Sequence, residues 1–469
     1  MASVIPTPHP AWRSDPAAVL EAAKARFLTR NPKSLQIHKS ALLSLPGGNT
    51  RTVLHTAPFP VSMARGTAHQ VTSEDNHTSV PSPPPHSASA NPAASSYTDF
   101  VGEFTAALYG HSHPVLTTTI THTLSTTGLS LGATTAQEAR YAALLCARFS
   151  LARLRFCNSG TEANLHALAA ARAATGRRRV LAFAGGYHGG VLGFAHGAPA
   201  RNNVDLPDWL VVPYNDAAAA VEALRRDRPA AVLVEAMQGA AGCVVGDRAF
   251  LLAVRAAARE VGAVFVLDEV MTSRMGPGGL AERLGLEPDL VTFGKYLGGG
   301  LAFGAFGGTE EVMRVFDPRG EDALAQSGTF NNNTLAMAAG YAGLKDIYTP
   351  EVSAEFMEVG EAFLKRLREA TEGTKATFTG VGTVISLHIT DKGVRDIVRA
   401  DEVEERDDLK DIFWFEMMEE GFWITRRGMI ALILGTPQSE LDRFVGCVKA
   451  FLERHRELMV LGDGQARAT

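Results

Sequence analysis

Between about residues 150 and 310 the sequence alternates short apolar runs with alanine-rich segments that have the composition of helices. The apolar runs are RVLAFAG (179–185), WLVVPYN (209–215), AAVLVEAM (230–237), AVFVLDEV (263–270), DLVTFGKY (289–296) and AFGAFGG (302–308). Helices are predicted between several of them, at 161–175, 216–227 and 248–261. Nearly continuous hydrophobic strands separated by helices indicate a mainly parallel sheet covered on both faces, which is the α/β class.

The chain is long enough for more than one lobe, because its 469 residues exceed the size at which single hydrophobic cores stop growing. We predict a large domain at 98–335 and a small α+β domain built from the N-terminal segment 1–97 and the C-terminal segment 336–469. In the latter, GTVISLHI (382–389) and MIALILG (429–435) predict strands. The proline- and serine-rich tract 79–96 predicts a disordered insertion, and its flanks resemble the two arms of a β-hairpin.

Composition argues against several classes of partner. Charged residues make up 20% of the chain and the net charge is −5, so we expect neither nucleic acid nor an anionic membrane as a partner. No apolar run approaches the length of a membrane span, and the first twenty residues have no signal-peptide core. The four cysteines are too scattered for a zinc site and too few for a disulfide framework. We therefore expect a soluble cytoplasmic protein without a metal.

One lysine lies at the end of a predicted strand, among glycines and apolar residues, in VTFGKYLGGG (291–300). Burial of a lysine favours the neutral, nucleophilic amine, because the ammonium loses its hydration. Lys295 is therefore a candidate covalent catalyst, and the alternative is a lysine on the surface of a turn. Asp268 also follows buried strand positions, where a carboxylate needs a positive partner such as a protonated ring nitrogen. Alternatively, Asp268 or Glu269 caps the next element.

The segment FCNSGTEAN (156–164) combines a strand end, a polar turn and a helix start. Ser159 followed by Glu162 predicts a capping box, and Gly176 predicts the end of the helix. The free N–H groups and hydroxyls of Ser159, Gly160 and Thr161 could bind a phosphate at this helix N-terminus. An ordinary capped helix is the alternative.

The segment FAGGYHGGVLG (183–193) places Tyr187 and His188 between two glycine pairs. The glycines would let the backbone approach a ligand while one ring stacks on it, although a plain glycine-rich turn has the same composition. With the phosphate turn, the carboxylate and the lysine, this ring completes the set of groups that pyridoxal phosphate requires from a protein.

The chain resembles the class III, fold type I pyridoxal-phosphate aminotransferases and their glutamate-1-semialdehyde aminomutase relatives, from about residue 30 to 455. The motifs that carry the resemblance are LPGGNTR (45–51), YGHSHP (109–114), NSGTEAN (158–164), GGYHG (185–189), LVEAMQG (233–239), LDEVMTSR (267–274), FGKYLGGG (293–300) and SGTFNNN (327–333).

The resemblance implies roles for individual residues. It makes Lys295 the Schiff-base lysine and Asp268 the partner of the pyridine nitrogen. The other cofactor-binding positions it implies are Ser159, Gly160, Thr161, Tyr187, His188, Glu235, Gln238, Val270 and Thr329. Thr329 is expected to donate to the phosphate site of the neighbouring subunit, so the resemblance also implies a homodimer with shared active sites.

Within that family, GGNTRTVLHTAPFP (47–60) and RRGMIALILGTP (426–437) are similar to aromatic β-amino acid aminotransferases of the β-phenylalanine type. This likeness implies that Arg51 and Arg427 bind substrate carboxylates, which suits the planar guanidinium. Arg426 is expected to be a surface arginine. The implied reaction moves an amino group from an aromatic β-amino acid to a 2-oxo acid such as 2-oxoglutarate or pyruvate. The alternatives are an aminomutase, a transaminase of amines without a carboxylate, and a catalytically silent protein.

Overall fold

The structure is a computed structural model that describes residues 15–75, 96–195 and 197–461. Apart from Ser96, the predicted insertion 79–96 lies outside the described residues. In these ranges the strands are β1 (Met63–Thr67), β2 (Gln70–Ser73), β3 (Tyr97–Asp99), β4 (Arg153–Cys157), β5 (Val180–Phe183), β6 (Trp209–Val212), β7 (Ala231–Glu235), β8 (Met237–Gln238), β9 (Val244–Val245), β10 (Val264–Asp268), β11 (Leu290–Gly294), β12 (Gly304–Gly308), β13 (Ala376–Val381), β14 (Val384–Ile389), β15 (Phe422–Trp423) and β16 (Met429–Ala431).

The helices of the same ranges are α1 (Pro16–Arg30), α2 (Pro32–Ala41), α3 (Pro114–Thr126), α4 (Ala136–Arg148), α5 (Gly160–Thr175), α6 (Ala217–Asp227), α7 (Arg248–Val261), α8 (Gly279–Leu284), α9 (Glu310–Met313), α10 (Thr334–Ala342), α11 (Pro350–Ala370), α12 (Asp407–Glu419), α13 (Gln438–Arg454) and α14 (Arg456–Met459). None of these described helices is long and apolar enough to cross a membrane.

Seven strands form the central sheet, in the order β4-β12-β11-β10-β7-β5-β6. The neighbours from β11 to β6 pair in parallel, whereas β12 runs antiparallel to both β11 and β4. Each of the six predicted apolar runs contains one strand of this sheet, and α5, α6 and α7 match the three predicted helices to within one residue. The predicted α/β class with a mainly parallel sheet is therefore confirmed.

Helices cover both faces of the central sheet. On one face, Ala163 and Leu168 of α5 pack in the same apolar cluster as Val266 of β10. On the other face, Phe250 of α7 packs with Phe265, the preceding residue of β10. Successive residues of a strand point to opposite faces, so both sides of β10 are buried. A ligand can therefore reach this sheet only at the ends of its strands.

Two smaller sheets use the outer parts of the chain. One has the order β1-β2-β3-β15 and joins N-terminal strands to the C-terminal segment through the parallel pair β3 and β15. The other has the order β13-β14-β16. The strands on either side of residues 79–96, β2 and β3, pair antiparallel, as the arms of a hairpin do. A small domain built from both ends of the chain stays a prediction that agrees with this pairing.

Candidate functional site

A cavity of about 1080 Å³ lies at the carboxyl ends of the central strands. Asp268 and Glu235 are the last residues of the paired strands β10 and β7, and Lys295 directly follows β11. The predicted residues that line the cavity are Arg51, Gly160, Thr161, Tyr187, His188, Glu235, Asp268, Val270, Lys295 and Arg427. The fold therefore brings together groups that are up to 376 positions apart in the sequence.

Lys295 is half-buried, and its side chain lines the cavity. It is therefore not a lysine on the outer surface of a turn. Desolvation by the surrounding protein lowers the pKa of Lys295 to about 8; Asp268 and Glu235 oppose this shift, and Arg427 and Arg274 add to it. The backbone of Lys295 has φ of +57°, in the left-handed region that non-glycine residues rarely adopt. Strained backbone of this kind concentrates at functional sites. An amine that is half neutral near pH 8 can act as a nucleophile and as a base.

Asp268 is fixed by three hydrogen bonds at the bottom of the cavity. One carboxylate oxygen, Oδ2, accepts from Asn164 Nδ2 and lies 2.8 Å from His188 Nδ1, and the Asn164 bond is also 2.8 Å long. The other oxygen accepts from the Val270 N–H at 3.0 Å. Thr292 Oγ1 donates to Asn164 Oδ1 at 2.8 Å, which orients the amide. The carboxylate is thus held rigidly by an amide, an imidazole ring and a backbone N–H.

Sequence reasoning missed Asn164. This residue lies on the buried face of α5, where its neighbours one turn away are apolar, and only 1% of its surface is exposed. A polar residue at an apolar helix position needs a hydrogen-bond partner. The apolar periodicity of α5 was therefore the signal that could have identified Asn164. Glu269, the alternative helix-capping residue, accepts from the Ala281 N–H of α8 at 2.9 Å.

Two buried polar atoms near the cavity have no hydrogen-bond partner among the described residues. They are Glu235 Oε2 and Gln238 Oε1. Burial, followed by the nearby charge of Asp268, raises the pKa of Glu235 well above its usual range. Gln238 lies behind the cavity wall, where its Nε2 donates to the Ala184 carbonyl at 2.9 Å. Unpaired buried polar atoms are costly, so this pair indicates a polar ligand.

The turn before α5 forms most of the predicted capping box. Ser159 is the N-cap, and its hydroxyl accepts from the Glu162 N–H at 3.2 Å. The Glu162 carboxylate reaches one residue further back than predicted and accepts from the Asn158 N–H at 2.9 Å. Gly176 ends the helix in the left-handed conformation, as predicted. The helix N-terminus beside the cavity is therefore well ordered and available to an anion.

Glycines let the backbone approach the cavity closely. A Cβ on Gly160 would lie 2.7 Å from Val270 Cγ1, and one on Gly189 would overlap Thr161. Tyr187 keeps 52% of its surface exposed and lines the same space, so its ring is free to stack. The turn carrying Tyr187 therefore has the features expected of a ligand-binding turn.

The two predicted carboxylate-binding arginines differ in their partners. Arg427 has no carboxylate within 4.0 Å among the described residues, and its Nη2 contacts Met429 Sδ at 3.5 Å. Arg51 forms an ion pair with Glu103. Their guanidinium carbons lie 5.6 Å and 5.8 Å from the ring centre of Phe104, respectively. The cavity wall thus carries one guanidinium without an acidic partner and one that is already paired.

Three other predicted positions do not line the cavity. Ser159 is the residue before the cavity-lining Gly160, Gln238 is buried, and Thr329 is exposed on the loop 327–333. The expectation that Arg426 is a surface arginine was wrong in part, because its side chain is 25% exposed and pairs with Asp411. Its guanidinium also donates to a backbone carbonyl and packs on aromatic rings, which makes it a structural residue.

Comparison with known proteins identifies the family. The model of the family "Aminotransferase class-III" matches residues 90–437, so the chain belongs to the class III aminotransferases. It is a transaminase of fold type I that depends on pyridoxal phosphate. The glycine-lined turn, the helix N-terminus, Lys295 and the fixed Asp268 fit that cofactor, as do the unpaired atoms of Glu235 and Gln238.

Three relatives show the range of the family. An uncharacterized aminotransferase of Schizosaccharomyces pombe is 44% identical over 95% of this chain and 98% of its own length. The beta-phenylalanine transaminase of Variovorax paradoxus is 43% identical over 93% of this chain and 96% of its own. The crystal structure of a beta-phenylalanine aminotransferase from that organism matches with a TM-score of 0.89 and 41% identity, covering 96% of this chain and all of its own. A glutamate-1-semialdehyde 2,1-aminomutase of Chloroherpeton thalassium is 34% identical over 74% of this chain and 84% of its own.

Proposed function

We propose that this enzyme transfers the amino group of an aromatic β-amino acid to a 2-oxo acid such as 2-oxoglutarate or pyruvate. The observation that carries the proposal is Arg427, a guanidinium in the cavity wall that has no acidic partner among the described residues. Such a group is available to a carboxylate, because its planar fork of N–H donors lines the cavity and matches carboxylate geometry. Phe104, beside it, offers an aromatic surface to a substrate ring.

The proposed roles of the other residues follow from their positions. Pyridoxal phosphate, when bound, supplies the electron sink that makes the amine-bearing carbon of the substrate acidic. Lys295 would attach the cofactor, and its Nζ would then carry the proton between the amine-bearing carbon of the substrate and C4′ of the cofactor. Asp268, fixed by Asn164 and His188, would bind the ring nitrogen and keep it protonated.

The remaining cofactor contacts complete the pocket. We propose that the backbone N–H groups of residues 159–161 and their hydroxyls bind the phosphate, with Thr329 donating from the partner subunit. Tyr187 would stack on one face of the ring, and Val270 would pack against the other. Glu235 Oε2 and Gln238 Oε1, which have no hydrogen-bond partner among the described residues, would supply polar contacts to the cofactor.

A donor panel tests the proposed function. The purified holoenzyme is incubated with 3-amino-3-phenylpropanoate, an aliphatic β-amino acid, an α-amino acid or 1-phenylethylamine, each with 2-oxoglutarate and with pyruvate. We expect the aromatic β-amino acid to give the highest kcat/KM. A preference for 1-phenylethylamine would contradict the carboxylate site and favour an amine transaminase. Turnover of glutamate 1-semialdehyde without any oxo acid would favour an aminomutase, and no shift of the visible absorbance with any donor would favour a silent protein.

We also propose a homodimer with shared sites. The loop 327–333 carries Phe330, which is 60% exposed, and it adjoins Leu129 through the hydrogen bond from Thr334 N to the Leu129 carbonyl. Leu129 and Leu131 are themselves 57% and 54% exposed. An exposed apolar group of this kind beside an active site is typical of an interface. The domain boundaries and the cytoplasmic location stay predictions.

A further inference from the structure

The loop 327–333 contains a tight turn, residues 328–331, that carries Thr329 at its tip. The Asn331 N–H donates to the Gly328 carbonyl at 3.1 Å, which closes a four-residue turn with Thr329 and Phe330 at its centre. Both central residues are exposed. A Cβ on Gly328 would overlap Asn331 Oδ1, so the Asn331 side chain lies close against the first residue of its own turn.

The side chain of Asn331 also binds the phosphate turn, residues 158–161, at the start of α5. Asn158 Nδ2 donates to Asn331 Oδ1 at 2.9 Å and to Glu162 Oε2 at 3.1 Å. The same Glu162 oxygen accepts from the Asn158 N–H at 2.9 Å. Asn158 directly precedes Ser159, the first of the proposed phosphate-binding residues. One hydrogen bond therefore joins the turn that carries Thr329 to the phosphate turn of the same chain.

The partners of these two amides fix their orientation. A carboxylate only accepts, so Asn158 must present its Nδ2 to Glu162. The second hydrogen of that nitrogen is then directed to Asn331, which must present its oxygen. Turning either amide over would place two acceptors or two donors against each other. The contact is therefore specific to the amide oxygen of Asn331.

The neighbouring residues of the loop have other anchors. Asn332 Nδ2 donates to Glu138 Oε2 of α4 at 2.9 Å and to the Ala133 carbonyl at 3.2 Å. Within the turn 328–331, Asn331 is the residue whose side chain is hydrogen-bonded to another segment of the described chain. Neither Asn158 nor Asn331 is among the described residues that line the cavity. The anchor of the turn thus lies outside the site itself.

We propose that Asn331 is a positioning residue, which anchors the turn 328–331 on Asn158 of its own subunit and so holds Thr329 in place for the phosphate of the partner subunit. The inference rests on the proposed shared site, in which Thr329 donates across the interface. An exposed turn without this anchor has more conformations, and fixing one of them on binding costs affinity. Each phosphate turn is then also the base from which its chain reaches the other site.

Binding of pyridoxamine 5′-phosphate to the full-length apoprotein tests the role without turnover. This ligand has no aldehyde for Lys295, so its Kd from isothermal calorimetry depends on the non-covalent contacts alone. We expect Thr329→Ala to raise the Kd about tenfold, through loss of a hydrogen bond to a charged group. Asn331→Ala should raise it about threefold or more, and by no more than Thr329→Ala does.

A double variant separates positioning from structural damage. In a chain that carries both Thr329→Ala and Asn331→Ala, the Kd should match that of Thr329→Ala within about twofold, because Asn331 acts through a hydroxyl that is no longer present. Two independent defects would multiply instead. The matched control is Asn332→Ala, which loses the contacts with Glu138 and Ala133 in the same loop and should leave the Kd within about twofold of wild type.

A mixed dimer shows in which site Asn331 acts. One subunit carries Lys295→Ala and the other carries Asn331→Ala, so the site with the intact lysine receives Thr329 from the chain with an intact Asn331. At a cofactor concentration that limits the Asn331→Ala homodimer, this mixed dimer should show about half of wild-type activity. If Asn331 supported the phosphate turn of its own subunit instead, the intact lysine would lie beside the altered turn and activity would not return.

Four results would overturn the inference while the shared site stands. They are an unchanged Kd in Asn331→Ala, multiplied effects in the double variant, an equal loss in Asn332→Ala, and a mixed dimer without activity. A monomeric Asn331→Ala in light scattering would also overturn it, since the residue would then hold the interface. Failure of the shared site has a different signature, because Thr329→Ala itself would leave the Kd unchanged. The donor panel tests the proposed substrates independently of all these measurements.

Discussion

Lys295 lies between charges of opposite sign, and this setting determines when its amine is neutral. The surrounding protein disfavours the ammonium, two carboxyl groups favour it, and the guanidinium groups of Arg427 and Arg274 disfavour it again. Arg274 is fully buried and has no acidic partner among the described residues; its Nη2 donates to the Leu432 carbonyl at 2.6 Å. Arg427, which we propose binds substrate, and Arg274 therefore both lower the pKa of the proposed catalytic amine.

Replacing Lys295 with alanine should abolish turnover and leave the fold intact. In the proposed mechanism the amine serves both as the attachment point and as the proton carrier, so its loss should lower kcat by several orders of magnitude. Steady-state kinetics and circular dichroism check the two parts of the prediction. Activity above about one tenth of wild type would exclude Lys295 from both roles, since a tenfold loss corresponds to only ~1.4 kcal/mol.

The reaction of the apoprotein with a neutral aromatic aldehyde should show the lowered pKa of Lys295. Only the neutral amine reacts, so the rate should fall about tenfold per pH unit below pH 8 and level off above it, because the pKa is about 8. A lysine of ordinary pKa would still gain reactivity up to about pH 10.4. In Arg427→Leu a cation that lowers this pKa is absent, and the midpoint should move upward. Rates that keep rising through pH 10 would contradict the prediction.

Arg427→Leu should also weaken substrates that carry a carboxylate. Loss of a charge-paired contact in a confined site costs about 2 to 5 kcal/mol, which would appear in kcat/KM for the β-amino acid, the oxo acid or both. The matched control is Arg426→Leu, because Arg426 is bound to Asp411 and should affect stability rather than KM. Single-turnover kinetics of each half-reaction would show which carboxylate Arg427 binds, and which is left to Arg51. Unchanged rates in both halves would remove the carboxylate-binding role.

At the scale of elements, the turn that carries Phe104 is the least regular part of the cavity wall. Gly102, Glu103, Phe104 and Thr105 have consecutive φ values of +51°, +46°, +53° and +81°. Left-handed backbone costs about 1 to 2 kcal/mol per non-glycine residue, so a run of this kind needs support from its surroundings. Support comes from Ala431 of β16, whose N–H donates to the Phe100 carbonyl at 2.8 Å. The turn is thus pressed against the strand that follows Arg427.

Gly102→Ala should destabilise the protein by about 2 to 4 kcal/mol and displace Phe104. A Cβ at this position would lie 2.6 Å from the Ala431 carbonyl oxygen, a backbone atom that cannot move freely. Gly132→Ala is the matched control, since Gly132 has φ of +62° but no atom within 4 Å of the added carbon. It should cost only about 1 kcal/mol. Equal losses in urea unfolding would mean that the contact with Ala431 does not matter.

The sequence predicted the elements of the central sheet better than their directions. Its apolar runs mark six of the seven strands because both faces of those strands are buried, but a buried run has the same pattern in either direction. The reversal of β12 therefore could not be read from AFGAFGG. The left-handed turn at 102–105 could not be predicted from the sequence either, because three of its residues are not glycine. The strand that it packs against lies more than 300 positions later in the chain.

At the scale of the whole molecule, the site residues that could be predicted from the sequence are those with a local sequence pattern around them. Lys295, Asp268 and the turn at 159–161 sit at strand ends that the sequence identifies, and the structure places all of these segments around one cavity. The contact between Asn158 and Asn331 has no local signal of this kind, because it joins two segments that are 173 positions apart in the chain. Contacts of that type follow from tertiary structure alone.

The last prediction concerns the dimer, in which Thr329 is proposed to complete the site of the partner subunit. Lys295→Ala disables the site of its own subunit, whereas Thr329→Ala should weaken cofactor binding in the site of its partner. In a mixed dimer of the two variants, one site then has both defects and the other has none.

Co-expression with two affinity tags isolates this mixed dimer. It should show about half of wild-type activity at a limiting cofactor concentration at which neither parent dimer is active. If Thr329 acted within its own subunit, the intact lysine would sit beside the altered threonine, and no activity would return. A fully active monomer in light scattering at dilute concentration would contradict the shared site altogether.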